Sequence, residues 1–170
     1  GIFGRTESCP TVTITRPTPA LFPVRIVLDF GINGCVHPRD GHFRKGKIII
    51  EYSDRLIHPG ATATTTFDGF YFEDIKVEGT HKITNISSNT LSCRAWKVDV
   101  TNAKPTRPNG NYTMWNSHKT VVQVEGCATT QIHMDDIFKI EGNSEGKVFR
   151  NNLLVLWSSS ITEPLIKKFN

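Results

Sequence analysis

An all-β fold is what this chain predicts, and three observations predict it. Segments that alternate apolar with polar residues, rich in Val, Ile, Thr, Tyr and Phe, recur along its length. Helical periodicity is almost absent, and short Gly, Pro, Asn and Asp clusters separate the segments. Strands joined in sequence by tight turns favour an antiparallel meander, because parallel neighbours need crossovers of roughly a dozen residues. About nine strands are expected, lying in an open curved sheet, a sandwich or a partly closed barrel, which periodicity does not distinguish.

Taken in order, the proline-rich lead-in with Pro17, Pro19 and Pro23 excludes helix, since proline lacks an amide donor and restricts its predecessor. The strand 24–30 follows. In 47–52, Ile48, Ile50 and Tyr52 share one face, and Lys47, Ile49 and Glu51 the other. The segment 61–67 sets Ala61, Ala63, Thr65 and Phe67 opposite a row of Thr62, Thr64 and Thr66, which suits a solvated sheet face. Residues 70–72 lead through a turn at Glu73-Asp74-Ile75 into 76–86, and 90–100 places Trp96, Val98 and Val100 together. The link 101–109, with Pro105, Pro108 and Asn109-Gly110, reads as a turn. Residues 112–125 hold two strands or one bent one. Strands at 137–141 and 148–150 flank 142–146, which reads as a hairpin connection. Residues 153–161 close the series.

The 170 residues suit one β-rich domain with a core of its own. The 38% hydrophobic and 21% charged fractions place the chain among folded proteins rather than disordered ones. Its net charge of +4 is scattered. The short clusters Arg44-Lys45-Gly46-Lys47 and Lys167-Lys168 read as solvated strand ends, so nucleic acid is not an expected partner. No apolar run approaches the roughly 18 residues of a membrane helix, and the first residues lack signal-peptide architecture. Cys9, Cys35, Cys93 and Cys127 show no zinc-ligand spacing. An even count allows two disulfides in an oxidising compartment, with three connectivities and free buried thiols all open.

Each chemistry-bearing group has a plainer structural role beside its functional one. Asp29-Phe30-Gly31 matches the magnesium-binding triplet of kinases, but the glycine-rich loop, strand lysine and catalytic-loop motif that it requires are missing, so it reads as a strand end and a turn. His37, Asp40 and His42 form a candidate metal set in a dense loop with Arg39 and Arg44, although Asp40-Gly41 is also a common turn pair. His133, Asp135 and Asp136 form a second candidate set, although neighbouring strand residues point to opposite faces. Ser158-Ser159-Ser160 lies in no nucleophile elbow. No catalytic residue is nominated and no cofactor is expected. Trp96, Tyr112, Trp115 and Trp157 are the candidate ligand-binding residues, a platform on which sugar rings stack, against the commoner role of tryptophan in a core. Asn85-Ile86-Ser87 and Asn111-Tyr112-Thr113 match the N-glycosylation pattern.

The phrases "CPTVTIT" (9–15), "VLDFGINGC" (27–35), "RKGKIIIEYSDR" (44–55), "KVEGTHKITN" (76–85) and "ITEPL" (161–165) together resemble an uncharacterised family of exported, lipoprotein-like proteins of Bacteroidetes. The ordered series covers most of the chain. The resemblance implies an all-β fold, a cell-envelope or secreted location with oxidised cysteines, and no assigned enzyme activity. It further implies that members continue past the segment matching 161–165, so the chain is expected to be a piece of a longer protein with an exposed sheet edge. His37-Pro38-Arg39 replaces the family's Thr- and Gly-rich loop.

The expected function is that of a non-enzymatic envelope or secreted module. It would bind an extracellular ligand, glycan or protein, and sit peripheral to the membrane through a lipid anchor outside these residues. A hydrophobic-ligand carrier is the first alternative and a metal-dependent hydrolase the second.

Overall fold

The computed structural model describes residues 8–89, 93–128 and 136–168. Among them eleven strands form and no helix does: β1 (Thr11–Thr15), β2 (Val24–Asp29), β3 (Cys35–Val36), β4 (Phe43–Tyr52), β5 (Thr62–Phe72), β6 (Ile75–Asn85), β7 (Ala95–Thr106), β8 (Tyr112–Glu125), β9 (Ile137–Arg150), β10 (Leu153–Ser160) and β11 (Leu165–Lys168). Nine of them make one sheet in the order β1-β2-β4-β5-β6-β7-β8-β9-β10, with β3 added to β4 and β11 to β9. Every pairing is antiparallel, and the sheet stays open instead of closing into a barrel.

The structure differs from the sequence reading at the short strands β3 and β11, which form where none is predicted, and in three further places. The edge strand β1 forms where no separate strand is predicted. The link 101–109 is strand as far as Thr106, because a bulge between Val100 and Ala103 lets β7 stay paired with β8 up to Thr106↔Tyr112. Residues 142–146 are no hairpin. They run straight through β9, held by β8 on one side and β10 on the other (Gly142↔Lys119, Gly146↔Trp115 and Gly146↔Trp157), and the turn comes at Asn151-Asn152.

The registers give the sheet two unlike faces. One carries Ile26, Leu28, Ile48, Ile50, Phe67, Ile83, Trp96, Val98, Val121, Ile140 and Val155 in cross-strand rows. The other carries Thr62, Thr64 and Thr66 with Lys82, Thr84, Lys97, Asp99, His118, Thr120, Lys139 and Glu141. Ion pairs lie along this polar face at Lys97–Asp99 (3.3 Å) and Lys139–Glu141 (2.9 Å). Strands pack on their hydrogen-bonded neighbours, and among the described residues no second layer covers the apolar face. Few apolar side chains are therefore fully buried: Val24, Phe30, Ala61, Ala63 and Phe70. The chain exposes 11599 Å², where a compact monomer of its mass exposes about 8,400 Å².

Two disulfides tie loops to the sheet. Cys9–Cys35 joins the residues before β1 to β3, with Cα atoms 6.0 Å apart, and Cys93–Cys127 joins the residues just before β7 to those just after β8, with 4.7 Å. This is one of the three open connectivities, and it suits an oxidising compartment. Beside the second, Gln123 is buried, donates to Asp136 Oδ1 (2.7 Å) and accepts from the Arg94 N–H (3.3 Å).

The Asp29-Phe30-Gly31 triplet is structural. Asp29 Oδ1 accepts the Gly31 N–H at 2.8 Å and Oδ2 faces Lys47 Nζ at 3.6 Å. Phe30 is buried against Phe70, ring centroids 5.7 Å apart, and its N–H bonds Gly46 O at 2.9 Å. Gly46 sits at the β4 bulge with φ +80, where a side chain would collide with the backbone of Gly69. Glycine alone permits that approach.

Candidate functional site

The site is built on the last three strands of the meander. β8, β9 and β10 lie side by side, and their registers put Trp115, Gly146 and Trp157 in one row across the apolar face. Two tryptophans thus flank a residue with no side chain. A Cβ on Gly146 would stand 2.8 Å from Trp157 Cζ2 and 2.9 Å from Trp115 Cβ, so the close approach of both residues depends on glycine. Both indoles are half-buried. An open cleft of 530 Å³ lies here, but Glu145, Lys147 and Ser158, which also line it, alternate with the row and stand on the opposite face. On the indoles' own face the next row is Ser117, Ser144 and Ser159, and flat aromatic surface with hydroxyls beside it suits a ligand that has both apolar faces and hydroxyls.

The other two candidate aromatics lie elsewhere. Trp96 shares the apolar face but pairs with Val121, six positions along β8 from Trp115, or roughly 20 Å at strand rise. There its ring meets Phe138, with centroids 6.1 Å apart. Tyr112 is three positions from Trp115 and so on the opposite face. It stacks on Phe149 (5.3 Å, 18°) under Lys104 Nζ, 4.6 Å from its ring centroid. The four-residue platform therefore reduces to Trp115 and Trp157. The sequence hid the centre of the row, because Gly146 read as a turn residue; once β9 is taken as a strand, Gly146 falls opposite both tryptophans.

The loop before β4 is a hairpin turn, with the His37 N–H bonded to His42 O at 3.0 Å. His37, Asp40 and His42 do not converge on one point there. Arg44 grips both oxygens of Asp40, at 3.0 and 2.7 Å, and the His42 N–H adds a bond to Oδ1 at 3.0 Å. These bonds, led by those from the guanidinium, hold the Asp40 carboxyl far below the usual carboxylate range. His42 Nδ1 turns instead to Glu73, 2.9 Å away. A cation here would have to displace Arg44. His133 and Asp135 lie outside the described residues, and Asp136 is buried against Gln123. Among the described residues no three His, Cys, Asp or Glu side chains gather into a metal-binding group.

Asp99 and His118 form a dyad on the polar face, Oδ1 to Nδ1 2.7 Å, and this bond lowers the Asp99 pKa. The same cross-strand row continues through Asn143 to Ser160. Two strand spacings, roughly 9.6 Å, then separate His118 from that serine, too far for the histidine to take its proton. Of the two glycosylation patterns, the one at Asn85 is engaged in the fold. Asn85 is 2% exposed, donates to Leu56 O (2.8 Å) and accepts from the Ser87 N–H (2.9 Å). Asn111 lies in the turn before β8, its Oδ1 accepting the Asn151 N–H at 3.2 Å.

Comparison with family models, curated proteins and solved structures finds no match for this chain.

Proposed function

We propose that this chain is a non-enzymatic interaction module of the cell envelope or the extracellular space, and that it holds glycan on the Trp115–Gly146–Trp157 row. The observation that carries this reading is the row itself: two half-exposed indoles on one sheet face with a side-chain-free residue between them. Sugar rings present C–H faces that stack on indole, while their hydroxyls reach the neighbouring Ser144 and Ser159 on the same face. Two disulfides support a compartment outside the reducing cytoplasm. The resemblance to exported lipoprotein-like proteins supports an envelope location, peripheral to the membrane through a lipid anchor outside these residues.

Glycan-array screening followed by calorimetry tests it. Trp115→Ala and Trp157→Ala should each weaken binding by about 1.5–3 kcal/mol, the value of a large apolar side chain removed from contact. Trp157→Phe should keep part of the affinity and Trp96→Ala all of it. An array without a hit, or equal losses for Trp96→Ala and Trp157→Ala, refutes the glycan reading.

A second reading, a carrier of hydrophobic ligands, is favoured by the uncovered apolar face. Native mass spectrometry of protein purified without detergent decides it, since a carrier retains lipid that organic extraction removes.

A further inference from the structure

We propose that β10 is a self-association edge, along which two copies of this chain pair antiparallel about a two-fold axis through Val155. The strand reads Leu-Leu-Val-Leu-Trp before its three serines. Near-continuous apolar runs belong to strands covered on both faces and paired on both sides. β10 instead pairs only with β9, and among the described residues nothing occupies its outer side. Leu153 and Val155 on the apolar face are 70% and 60% exposed. Leu154 and Leu156 point to the face that elsewhere carries threonine and charge, at 55% and 75%. No charge or proline blunts the strand, although those are the usual protections of a free edge.

Hydrogen-bond parity fixes the register. β9 and β10 join through the two-residue turn Asn151-Asn152, whose φ values of 51 and 64 mark a type I′ hairpin. Arg150 and Leu153 beside such a turn form a hydrogen-bonded pair, so the odd-numbered residues of β10 bond to β9. Leu154, Leu156 and Ser158 then direct N–H and C=O outward. With the axis at Val155, Leu154 of one copy exchanges both bonds with Leu156 of the other. Val155 meets Val155, Leu153 meets Trp157, and Asn152 meets Ser158. Apolar groups face apolar groups and polar face polar along the whole seam.

The other free edge fits less well. β1 reads Thr-Val-Thr-Ile-Thr and would set threonines beside Leu154 and Leu156. A β10-to-β1 contact is also heterologous, so it would grow an open filament instead of closing. Surface is available for a closed dimer, since the chain exposes 11599 Å², about 3,200 Å² beyond a compact monomer of this mass. A standard interface takes roughly 800 Å² per partner.

Sedimentation equilibrium of the chain, from micromolar to submillimolar concentration, should show a monomer–dimer equilibrium. Leu154→Pro removes an outward N–H and leaves the β9 ladder intact, so it should raise the dimer dissociation constant about tenfold or more. Leu156→Lys should do the same, and it decides the matter if circular dichroism shows that the proline variant is unfolded. Ile166→Lys, equally exposed but on β11, should change nothing. Val155→Cys should cross-link as a dimer on mild oxidation. A monomer at every concentration, in these 170 residues or in a longer natural chain containing them, overturns the proposal. So does a dimer indifferent to both β10 variants, or an open-ended assembly.

Discussion

Removing the Cys9–Cys35 disulfide by Cys9→Ser with Cys35→Ser should cost this sheet a measurable share of its stability. The bond closes a segment of 26 residues. In the chain-entropy account its absence frees about 12 cal/mol/K in the unfolded ensemble, or about 3.5 kcal/mol at 25 °C. Unfolding entropy near 60 °C is roughly 2.1 cal/mol/K per residue, so for this chain length the melting temperature should fall by about 10 °C. The loss should also be local, because β1 is held to the sheet by β2 alone and is exposed along its whole length. Scanning calorimetry reads the first effect and amide hydrogen exchange the second, with the β1 amides losing protection before those of β6 and β7. A melting point that moves by less than about 3 °C, or β1 amides as protected in the variant as in the parent, would refute the idea that this bond holds the edge.

Gly46→Ala should cost about 3 kcal/mol or more in urea unfolding, because strain and collision combine: φ is +80 and a Cβ would stand 2.8 Å from Asp68 O. Gly110→Ala has a similar φ of +83 with open space around it, so only the conformational cost of about 1 kcal/mol is expected. Asn85→Ala leaves the Leu56 carbonyl and the Ser87 N–H without their buried partner, a loss of about 2–3 kcal/mol by the same titration. Asp40, Asp54, Glu73 and Asp99 all have lowered pKa values, chiefly through hydrogen bonds from Arg44, His58, His42 and His118 respectively. A depressed carboxylate stabilises the fold above its unfolded pKa of about 4, and that contribution is lost as pH falls toward the folded value. Melting temperature should therefore decline as the solution is acidified below that point, and Asp40→Asn should make the decline shallower; an acid profile unchanged by this substitution would show that the Arg44 pair contributes nothing.

The meander was legible because its signals are local. Alternation along β4, β5, β6, the first half of β7 and β8, and the Glu73-Asp74 turn, are properties of neighbouring residues. What escaped was decided by neighbours distant in sequence. Gly142 and Gly146 carry a turn-like composition, yet pairing on both sides of β9 overrides it. The bulge at Asn102 likewise keeps Pro105 inside β7, where a proline followed by Pro108-Asn109-Gly110 would suggest that the strand had ended. The candidate metal set is drawn apart for the same reason in reverse. His37, Asp40 and His42 are close in sequence, but Arg44 and Glu73 are better partners than a cation, and Glu73 enters from the β5–β6 turn. The site needed the most distant information, since Trp115, Gly146 and Trp157 meet only when three strands are aligned.

A single amphipathic sheet also explains why the proposed binding and the proposed assembly converge on one strand. Domains ordinarily bury an apolar sheet face under a second layer. Here the layer is missing among the described residues, and stability rests on ladders, cross-strand pairs and two covalent ties. Trp157 stands where the two unmet demands cross: its ring lies over Gly146 in the candidate glycan row, and its strand is the unpaired edge. Pairing two copies through Val155 would bring Leu153 of one against Trp157 of the other, so that the two Trp115–Gly146–Trp157 rows share one continuous face, offset by four residues or roughly 13 Å along the strands. Two tryptophan rows on one continuous face would then bind a repeating polymer with a second, intramolecular contact, and the gain is set by effective concentration without any new chemistry. The two proposals are thereby separable: if Leu156→Lys abolishes dimerisation, a single short oligosaccharide should bind each chain as before, while a long polysaccharide should lose the added avidity.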